Sequence, residues 1–386
     1  MDSKCVFVIG SDGYIGNALT QRLLFEGYKV VGIDNFQKYK DVKEMKTFSA
    51  LELKSNAEKV SAFKDIGNFE FYELSIDKAY KYFCQLVTEY QPSTIVNLAQ
   101  NPSAPFSLKS REHAIEVTNN NINGTLNMLY AIKEYDPECH LIQIGSMGEY
   151  NPAMGIPIPE GKFDMTYKGK IIENVIFPRE PGSFYHASKV ASTYYIDCAC
   201  KWWGLRATDI MQGVVYGNWT FEIEKTGINS PLWSDEAFGT VVNRFIVQTI
   251  IGYPMSVYGS GDHSRGFLSL NDSVQCLMLA IKNPPEGYNT WNQLDTVYTM
   301  NQLVNEIGEA ANGLGIEWDV MYIESPRAES TSWFEYNPIV DKLKNLGFNH
   351  TRELKDESTW VMNELLKVKD SLYPLAEGVV PKITWK

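Results

Sequence analysis

The stretch Gly10-Ser11-Asp12-Gly13-Tyr14-Ile15-Gly16 decides the fold class of this chain. It joins an apolar run, Cys5 to Ile9, to a segment with helical spacing of apolar residues over 15–26. A strand-to-helix turn this tight needs residues without a Cβ, so that the backbone can approach a diphosphate at the helix N-terminus. Amide groups and the helix dipole attract anions there. The motif therefore predicts a strand–turn–helix unit that binds a nucleotide.

An acidic residue ends the second predicted strand, which spans residues 29–34. A carboxylate at this point, Asp34, accepts hydrogen bonds from ribose hydroxyl groups and repels a 2′-phosphate, which favours NAD over NADP. The nearby cations Lys38 and Lys40 weigh against this preference. The competing interpretation is a glycine turn beside a surface aspartate, and the order of strand, turn, helix and acidic residue disfavours it.

Strand and helix patterns continue to alternate through the first half of the chain. Further strands are predicted at 94–99, 141–146 and 207–212, and helices at 78–90, 123–135 and 185–203. This alternation predicts an α/β fold with a Rossmann-type, doubly wound parallel sheet. After residue 217 the strand–helix alternation gives way to a segment with Trp, Pro, Gly and acidic residues. We therefore expect a nucleotide-binding domain over 1–217, with a returning segment at about 240–285, and a smaller C-terminal α/β substrate-binding lobe within 218–386.

Composition excludes several classes of function. The chain has 386 residues, 44% of them hydrophobic, so it can bury a sizeable core. Its net charge of -12 disfavours a nucleic-acid partner. No stretch approaches the roughly 18 apolar residues of a membrane helix, and no secretory signal is visible, so we expect a cytoplasmic protein without membrane insertion. The cysteines and histidines lack ligand spacing, which predicts no metal site.

A second motif, Tyr185-His186-Ala187-Ser188-Lys189, places a tyrosine and a lysine on one face of a helix. Tyr39 and Lys43 have the same spacing, so the motif carries weight only through its context. That context is Ser146, which ends the strand at 141–146 on the sheet edge where such folds bind ligands. A nearby ammonium lowers the pKa of a phenol, so the three residues predict a proton-transferring triad. The competing interpretation is a solvated helix face.

Together these motifs resemble the extended short-chain dehydrogenase/reductase family, which includes NAD-dependent epimerases and dehydratases of nucleotide sugars. Further shared segments are Asn97-Leu98-Ala99-Gln100 and Asn121-x-x-Gly124-Thr125. The resemblance implies NAD as cofactor and Ser146, Tyr185 and Lys189 as catalytic residues. It implies that NAD is bound by Gly10, Asp12, Gly13, Tyr14, Ile15, Gly16, Asp34, Asn35, Ile76, Leu98, Ala99, Gln100, Asn121, Tyr185, Lys189 and Val215.

Segments in the C-terminal half also resemble the family, at the places where its members bind the sugar nucleotide. They are Tyr258-Gly259-x-Gly261, Arg265-Gly266-Phe267 and Pro326-Arg327. Guanidinium groups suit the diphosphate because they bind oxyanions with two parallel hydrogen bonds. The resemblance implies a UDP-sugar held by Ser146, Gln212, Asn243, Arg244, Arg265 and Arg327. It also implies a homodimer, for which the predicted helices 123–135 and 185–203 are candidates.

One branch of the family, the UDP-sulfoquinovose synthases, is resembled over nearly the whole chain. The shared segments are 145–150, 183–189, 206–209, 212–217 and 243–245, together with an insertion at 162–177 that reads as a hairpin around Lys168-Gly169. This narrower resemblance implies transient oxidation of UDP-glucose at C4, loss of water across C5 and C6, addition of sulfite at C6, and return of the hydride to C4. His186 is shared too, and either packing or proton transfer would explain it.

Two departures separate the chain from these synthases. Where they carry Glu-Gln-Arg before Ser-Ala-Pro, this chain has Gln100-Asn101-Pro102, so an acid and a cation are missing where anionic sulfite would need a positive or donor-rich pocket. Ser75 stands where the family usually places an aspartate near adenine, and Asp77 is a candidate substitute.

Alternative functions stay open at this point. A UDP-hexose 4-epimerase needs only hydride removal and return, without a sulfite pocket. The 4,6-dehydratases fit less well, because they follow the triad hydroxyl with an acidic pair where this chain has Met147-Gly148. A non-catalytic NAD-binding protein would also retain the fold, although such proteins usually lose the tyrosine or the lysine.

Overall fold

The computed structural model describes residues 4–150, 156–325 and 336–382. Its strands are β1 Cys5–Ile9, β2 Lys29–Asp34, β3 Phe69–Glu73, β4 Thr94–Asn97, β5 His140–Ile144, β6 Lys162–Tyr167, β7 Lys170–Ile176, β8 Arg206–Gln212, β9 Val214–Tyr216, β10 Met255–Tyr258, β11 Ser264–Ser269, β12 Tyr288–Gln293, β13 Thr296–Thr299 and β14 Val320–Ile323.

The helices alternate with these strands. They are α1 Tyr14–Phe25, α2 Gln37–Glu44, α3 Asn56–Ile66, α4 Tyr80–Tyr90, α5 Ala104–Leu108, α6 Arg111–Thr118, α7 Gly124–Tyr135, α8 Phe184–Trp203, α9 Phe221–Thr226, α10 Val241–Ile250, α11 Leu270–Lys282, α12 Met300–Gly313, α13 Asp341–Asn345, α14 Leu354–Leu366 and α15 Lys369–Leu372. A π-helical turn covers Asn119–Asn123, and 3₁₀ turns cover Met147–Glu149 and Tyr373–Val379.

A parallel sheet of seven strands organises the molecule, in the order β3-β2-β1-β4-β5-β8-β12. Strand order reverses beside β1, where Val6 pairs with Val30 on one side and with Thr94 on the other. Open α/β sheets bind ligands in the crevice at the carboxyl ends of strands next to such a reversal. The predicted Rossmann-type, doubly wound fold is confirmed.

Alternate residues of β1 enter two different cores, as a sheet covered on both faces requires. Val6 and Val8 join the core under α1 and α11, whereas Phe7 and Ile9 join the core under α4 and α7. Phe7 packs edge-on against Phe83 of α4, with ring centroids 6.3 Å apart. The sheet is therefore held rigidly from both sides, and its strand ends present side chains at fixed positions.

The segment predicted to return to the first domain, at about 240–285, divides between two cores. Helix α10 belongs to the core of the C-terminal lobe, where Phe245 packs among residues of α12 and α14. The elements that return to the central sheet are α11 and the edge strand β12, at residues 288–293. The sequence Tyr-Asn-Thr-Trp-Asn-Gln of β12 has no apolar run, so periodicity could not reveal it. Helical periodicity likewise marks an apolar face on α10 without showing which core the face enters.

The predicted insertion hairpin is present. Strands β6 and β7 pair antiparallel, and Tyr167 lies opposite Lys170 across a two-residue turn. Both turn residues, Lys168 and Gly169, have positive φ angles of 49° and 75°. This is the conformation that a tight hairpin connection prefers. Within the described ranges, no helix is long and apolar enough to cross a bilayer, and no cluster of metal-ligating side chains is found.

Candidate active site

A cavity of about 1200 Å³ opens at the carboxyl ends of the central strands. One half is lined by the glycine turn and by the ends of β2 and β4. The other half is lined by residues of α10, β11 and the segment after β9. Its size and two-sided wall suit a dinucleotide and a second ligand that lie end to end.

The glycine turn leaves no space for side chains at two positions. A Cβ on Gly16 would lie 2.0 Å from the carbonyl oxygen of Gly10. Gly10 has φ of +87°, and its Cβ would lie 2.7 Å from the carbonyl carbon of Leu98. Both residues line the cavity in front of the N-terminus of α1. Here the exposed backbone and helix dipole fit a diphosphate.

Asp34 lies where the sequence predicts it, at the end of β2 and on the cavity wall. One carboxylate oxygen accepts the backbone N–H of Asp12 at 3.0 Å, and the other accepts that of Phe36 at 2.9 Å. Burial raises the pKa of Asp34 to about 6 against these two hydrogen bonds. Asn35 continues the wall, and its amide donates to Ser75 at 3.0 Å.

The contact between Asn35 and Ser75 leads to the residues that the family resemblance places near adenine. Ser75 donates to the carboxylate of Asp77 at 2.6 Å, and both residues line the cavity. The serine and the aspartate therefore form one hydrogen-bonded unit, which fits the expectation that Asp77 substitutes for the aspartate missing at position 75.

Asp12 has a structural partner that the sequence did not predict. Its carboxylate pairs with Lys59 of α3 at 2.8 Å and accepts the hydroxyl of Tyr39 at 2.6 Å. Lys59 and Asp12 are both buried. Asp12 does not line the cavity, so it braces the glycine turn from behind. Tyr39, which shares the tyrosine–lysine spacing of the second motif, contributes to this brace through its hydrogen bond to Asp12.

The three residues of the predicted triad lie together on the cavity wall. The Ser146 hydroxyl lies near enough to the phenol of Tyr185 to favour its ionised form and lower its pKa. The ammonium of Lys189 donates to the carbonyl oxygen of Ile144 at 2.6 Å and lies 5.7 Å from the ring centroid of Tyr185. Helix α8 supplies the tyrosine and lysine, while β5 delivers Ser146 at its end. The arrangement can transfer a proton between a substrate hydroxyl and the tyrosine.

A buried ion pair lies directly behind Ser146. Glu149 accepts the backbone N–H of Ser146 at 2.9 Å and pairs with Arg179 at 3.0 Å. Asp209 lies nearby and accepts the hydroxyl of Thr193 at 2.5 Å. Burial raises the pKa of Glu149 to about 7, although the positive charge of Arg179 opposes the shift. The triad is thus backed by two carboxylates in a low-dielectric environment.

These charges act on the triad itself. Burial lowers the pKa of Lys189 to about 8, against the attraction of Glu149 and Asp209. Burial also raises the pKa of Tyr185, and the charge of Glu149 adds to the effect, while the polar Ser146 hydroxyl opposes it. A base in this position needs its proton affinity lowered, which is the electrostatic effect expected of an oxidised nicotinamide next to the phenol.

His186 lies against the backbone of Gly148. A Cβ on Gly148 would lie 2.4 Å from the imidazole Nε2. The other ring nitrogen, Nδ1, hydrogen-bonds Ser183 at 2.9 Å, and the ring lies 4.7 Å from that of Tyr185. His186 also lines the cavity, so it both packs against the triad and faces the ligand space.

The predicted substrate residues divide between the cavity and its support. Arg244 and Arg265 both line the cavity, and Arg244 donates to the Tyr258 hydroxyl at 3.1 Å. Gln212 lines it as well and donates to Gln293 at 2.9 Å. Asn243 is buried outside the lining, where its Oδ1 accepts the backbone N–H of Gly217 at 2.9 Å.

The predicted cofactor residues divide in the same way. Those that line the cavity are Gly10, Gly13, Tyr14, Ile15, Gly16, Asp34, Asn35, Leu98, Ala99, Gln100, Tyr185, Lys189 and Val215. Asp12, Ile76 and Asn121 lie behind the wall. Asn121, within the π-helical turn, donates to Ser188 at 2.9 Å and accepts the backbone N–H of Asn101 at 2.9 Å. It therefore supports α8 and the segment after β4 from behind the cavity wall. Arg327 lies outside the described residues.

Sequence reasoning assigned no role to Glu149, Arg179 or Lys59. One of them carried a usable signal, because Glu149 follows Ser146 at the spacing of a capping box, which the structure contains. Arg179 and Lys59 come from segments without any motif, so only the fold brings them to the site.

Comparison with known proteins agrees with this geometry. A family profile described as NAD dependent epimerase/dehydratase family matches residues 6–292. The chain is 36% identical to a UDP-sulfoquinovose synthase of Sulfolobus acidocaldarius, over 99% of this chain and 97% of that protein. It is 33% identical to the chloroplastic UDP-sulfoquinovose synthase of Spinacia oleracea, over 99% of this chain and 79% of that protein.

Solved structures resemble the fold at lower identity. A UDP-glucose 4-epimerase of Thermotoga maritima, crystallised with UDP-glucose, has a TM-score of 0.70 at 20% identity and covers 94% of this chain and 99% of its own. A UDP-glucose 4-epimerase of Bifidobacterium longum, in complex with NAD⁺ and UDP, has a TM-score of 0.71 at 16% identity, with coverages of 94% and 98%.

Proposed function

Since the chain belongs to the NAD-dependent epimerase/dehydratase family, we propose that it transiently oxidises C4 of a UDP-hexose and converts UDP-glucose and sulfite to UDP-sulfoquinovose. The observation that carries this proposal is that Ser146, Tyr185 and Lys189 line the same cavity as the glycine turn. Full-length similarity to two synthases supports the choice of reaction.

NAD fits the first half of the cavity, because the cradle at Gly10 and Gly16 is closed to side chains and open to a diphosphate. Asp34 would hold the adenosine ribose, and Lys189 the second ribose. When bound, NAD supplies a hydride acceptor for C4 and returns the hydride at the end of the cycle. This cycling explains why the reaction needs no net oxidant.

Tyr185 is the proposed base for the C4 hydroxyl. It removes the hydroxyl proton as the C4 hydride leaves, which yields a ketone at C4. Ser146 donates a hydrogen bond to the same oxygen, and the positive charge of Lys189 stabilises the phenolate. Tyr185 is buried except where it lines the cavity, so the bound sugar would reach the phenol from that side.

The ketone enables the remaining chemistry. It acidifies the C5 proton, so that loss of this proton with the C6 hydroxyl releases water and leaves a C5–C6 double bond. The sulfur lone pair of bisulfite or sulfite then attacks C6, C5 takes a proton, and hydride return reduces C4. The sum is UDP-glucose plus bisulfite giving UDP-sulfoquinovose plus water, in which all atoms and charges balance.

The sugar nucleotide would occupy the second half of the cavity. Arg244 and Arg265 are placed to bind its diphosphate, because both guanidinium groups line this half. Gln212, at the end of β8, would face the sugar. We assign no residue to the acid–base steps at C5 and C6.

We propose further that the protein acts in the cytoplasm as a homodimer. Helices α7 and α8 would form the interface, because they present the exposed aromatic side chains Tyr130, Tyr194 and Tyr195. Exposed aromatic clusters of this kind mark interaction surfaces. Sedimentation equilibrium of the wild type and of Tyr194→Glu tests this, and a wild-type monomer would contradict it.

The function is tested by mass spectrometry of UDP-glucose incubated with protein, NAD and sulfite in deuterated water. A nucleotide product that has gained one SO₂ and carries deuterium at C5 is expected from the wild type, and none from Tyr185→Phe. UDP-galactose, separated from the isobaric UDP-glucose by chromatography, without any sulfonated product would instead identify a 4-epimerase. Unchanged UDP-glucose in every sample would contradict both.

A further inference from the structure

The ammonium of Lys38 is a buried cation without a local partner. Among the residues that the structure describes, its Nζ makes no hydrogen bond and no salt bridge. It lies 3.8 Å from the ring centroid of Phe238, and both residues line the large cavity. A buried charge is costly unless it is paired, so an unpaired ammonium at a cavity wall is a candidate site for an anion.

Two carboxylates lie close enough to act on Lys38, and both are bonded elsewhere. Asp41 accepts hydrogen bonds from the side-chain amides of Gln37 at 2.9 Å and Asn101 at 3.2 Å. One oxygen of Asp235 accepts two backbone N–H groups, at 2.7 and 2.8 Å, while its other oxygen is buried without a partner. Burial outweighs their attraction and lowers the pKa of Lys38 to about 8.

The wall around Lys38 is built from three segments that hydrogen bonds tie together. Asn101 connects the segment after β4 to α2 through Asp41. Ser103 donates to the carbonyl oxygen of Ala237, which connects it to the segment that carries Phe238. Lys38 is thus held between Phe238 on one of these segments and Asp41 on its own helix.

The same wall leads to the proposed catalytic tyrosine. Phe238 packs against Phe106, with ring centroids 5.5 Å apart. Ser107, the next residue, accepts the backbone N–H of Tyr185 at 3.2 Å. Phe238, Phe106 and Tyr185 belong to one apolar cluster. This cluster connects Lys38 to the triad, and Lys38, Phe238 and Tyr185 all line the same cavity.

We propose that the Lys38 ammonium binds sulfite and supplies the positive charge that holds this anion in the cavity. This inference rests on the proposed function. Sulfite attacks carbon with the lone pair on sulfur, so it must be held through its oxygens with the sulfur free. A lysine suits this because it is a compact point charge that contacts one oxygen. The diphosphate groups of cofactor and substrate have other binding groups, at the glycine turn and at Arg244 and Arg265.

The test compares Lys38→Met with Lys38→Arg and with Lys40→Met, an exposed lysine on the same helix. Each variant is assayed with UDP-glucose and NAD over a range of sulfite concentrations, and for C5 deuterium exchange without sulfite. The loss of sulfite-dependent kcat/KM in Lys38→Met should exceed its loss of exchange at least tenfold. Lys38→Arg should recover most of that difference, and Lys40→Met should show none.

Other results would overturn the inference. Equal losses in both assays, or a weakened Kd for NAD that accounts for the loss, would place Lys38 outside a sulfite site. The double variant Lys38→Met, Asp235→Asn gives a second check. If it regained the wild-type KM for sulfite, the role of Lys38 would be to neutralise the charge of Asp235 and not to bind sulfite. Failure of the proposed function is distinct, because the wild type itself would then form no sulfonated product.

Discussion

The backbone N–H of Ser146 donates to the carboxylate of Glu149 at 2.9 Å, which places a buried acid directly behind the hydroxyl of the triad. The same carboxylate pairs with Arg179. The triad therefore depends on a charge that lies outside the three residues themselves.

Replacing Glu149 with glutamine should remove a pH-dependent loss of stability. The pKa of Glu149 is raised from 4.5 to about 7 in the folded state, so the folded protein binds the additional proton between these values. Stability contributed by the protonated group is therefore lost as pH rises through this window. Relative to wild type, Glu149→Gln should gain on the order of 1 kcal/mol or more of unfolding free energy between about pH 5 and about pH 8. Urea denaturation measures this, and exposed Glu173→Gln is the control.

The same substitution should shift the pH profile of the reaction. The charge of Glu149 helps to raise the pKa of Tyr185, so its removal favours the phenolate. The acid limb of the kcat/KM profile should move to lower pH in Glu149→Gln while remaining in place in Glu173→Gln. An unmoved acid limb would show that Glu149 only supports the backbone of Ser146.

Asp34 should make NAD binding depend on pH. Its pKa is raised to about 6, and only the carboxylate can accept both ribose hydroxyl groups. The Kd for NAD should therefore rise about tenfold between about pH 7 and about pH 5, since only about a tenth of the groups stay ionised one unit below the pKa. Titration calorimetry measures the Kd. Asp34→Asn should bind NAD weakly at both pH values, and a steep pH dependence in that variant would assign the effect to another group.

Gly148→Ala should displace His186. The added methyl group would meet the imidazole Nε2 at 2.4 Å, and Ser183 fixes the ring from the other side. We expect a destabilisation of about 1–3 kcal/mol and a fall in kcat. Gly313→Ala is the matched control, because a Cβ there would meet no atom within 4 Å. Thermal unfolding and steady-state kinetics of both variants provide the comparison, and equal behaviour would contradict the contact.

The buried ion pair of Lys59 and Asp12 should contribute far more to the free energy of unfolding than an exposed ion pair. Asp12→Asn leaves a buried lysine without its counter-charge and should cost about 3–5 kcal/mol of unfolding free energy. The exposed pair of Lys64 and Glu70 offers the control, since Glu70→Gln should cost about 1 kcal/mol or less. Similar costs from chemical denaturation of the two variants would mean that the Asp12 pair is not a brace for the glycine turn.

The site residues that could be predicted from the sequence are those whose position next to a strand or helix is visible in the sequence. The glycine turn, Asp34, Ser146 and the tyrosine–lysine pair each follow a strand or open a helix, so the topology of a parallel sheet brings them to one edge. The fold class followed from the same order.

What could not be predicted depends on side-chain direction and on distant segments. Asn243 and Arg244 are neighbours on α10, and one points to Gly217 while the other faces the cavity. Asn121, expected to bind NAD, lies behind the cavity wall and donates to Ser188. Arg179 reaches Glu149 from a segment without a motif. Strand β12 enters the sheet with polar side chains, among them Asn292, whose amide donates to the carbonyl oxygen of Ile339 at 2.8 Å. These contacts arise from packing, which periodicity does not encode.

Single-turnover measurement of the reduced nicotinamide absorbance, with UDP-glucose and no sulfite, tests the central claim most directly. Wild-type protein loaded with NAD should show a transient reduced cofactor as C4 is oxidised, and Tyr185→Phe, loaded to the same occupancy, should show none. A wild-type enzyme that turns over without any reduced nicotinamide, or a Tyr185→Phe variant with the wild-type amplitude, would contradict oxidation at C4 by this triad.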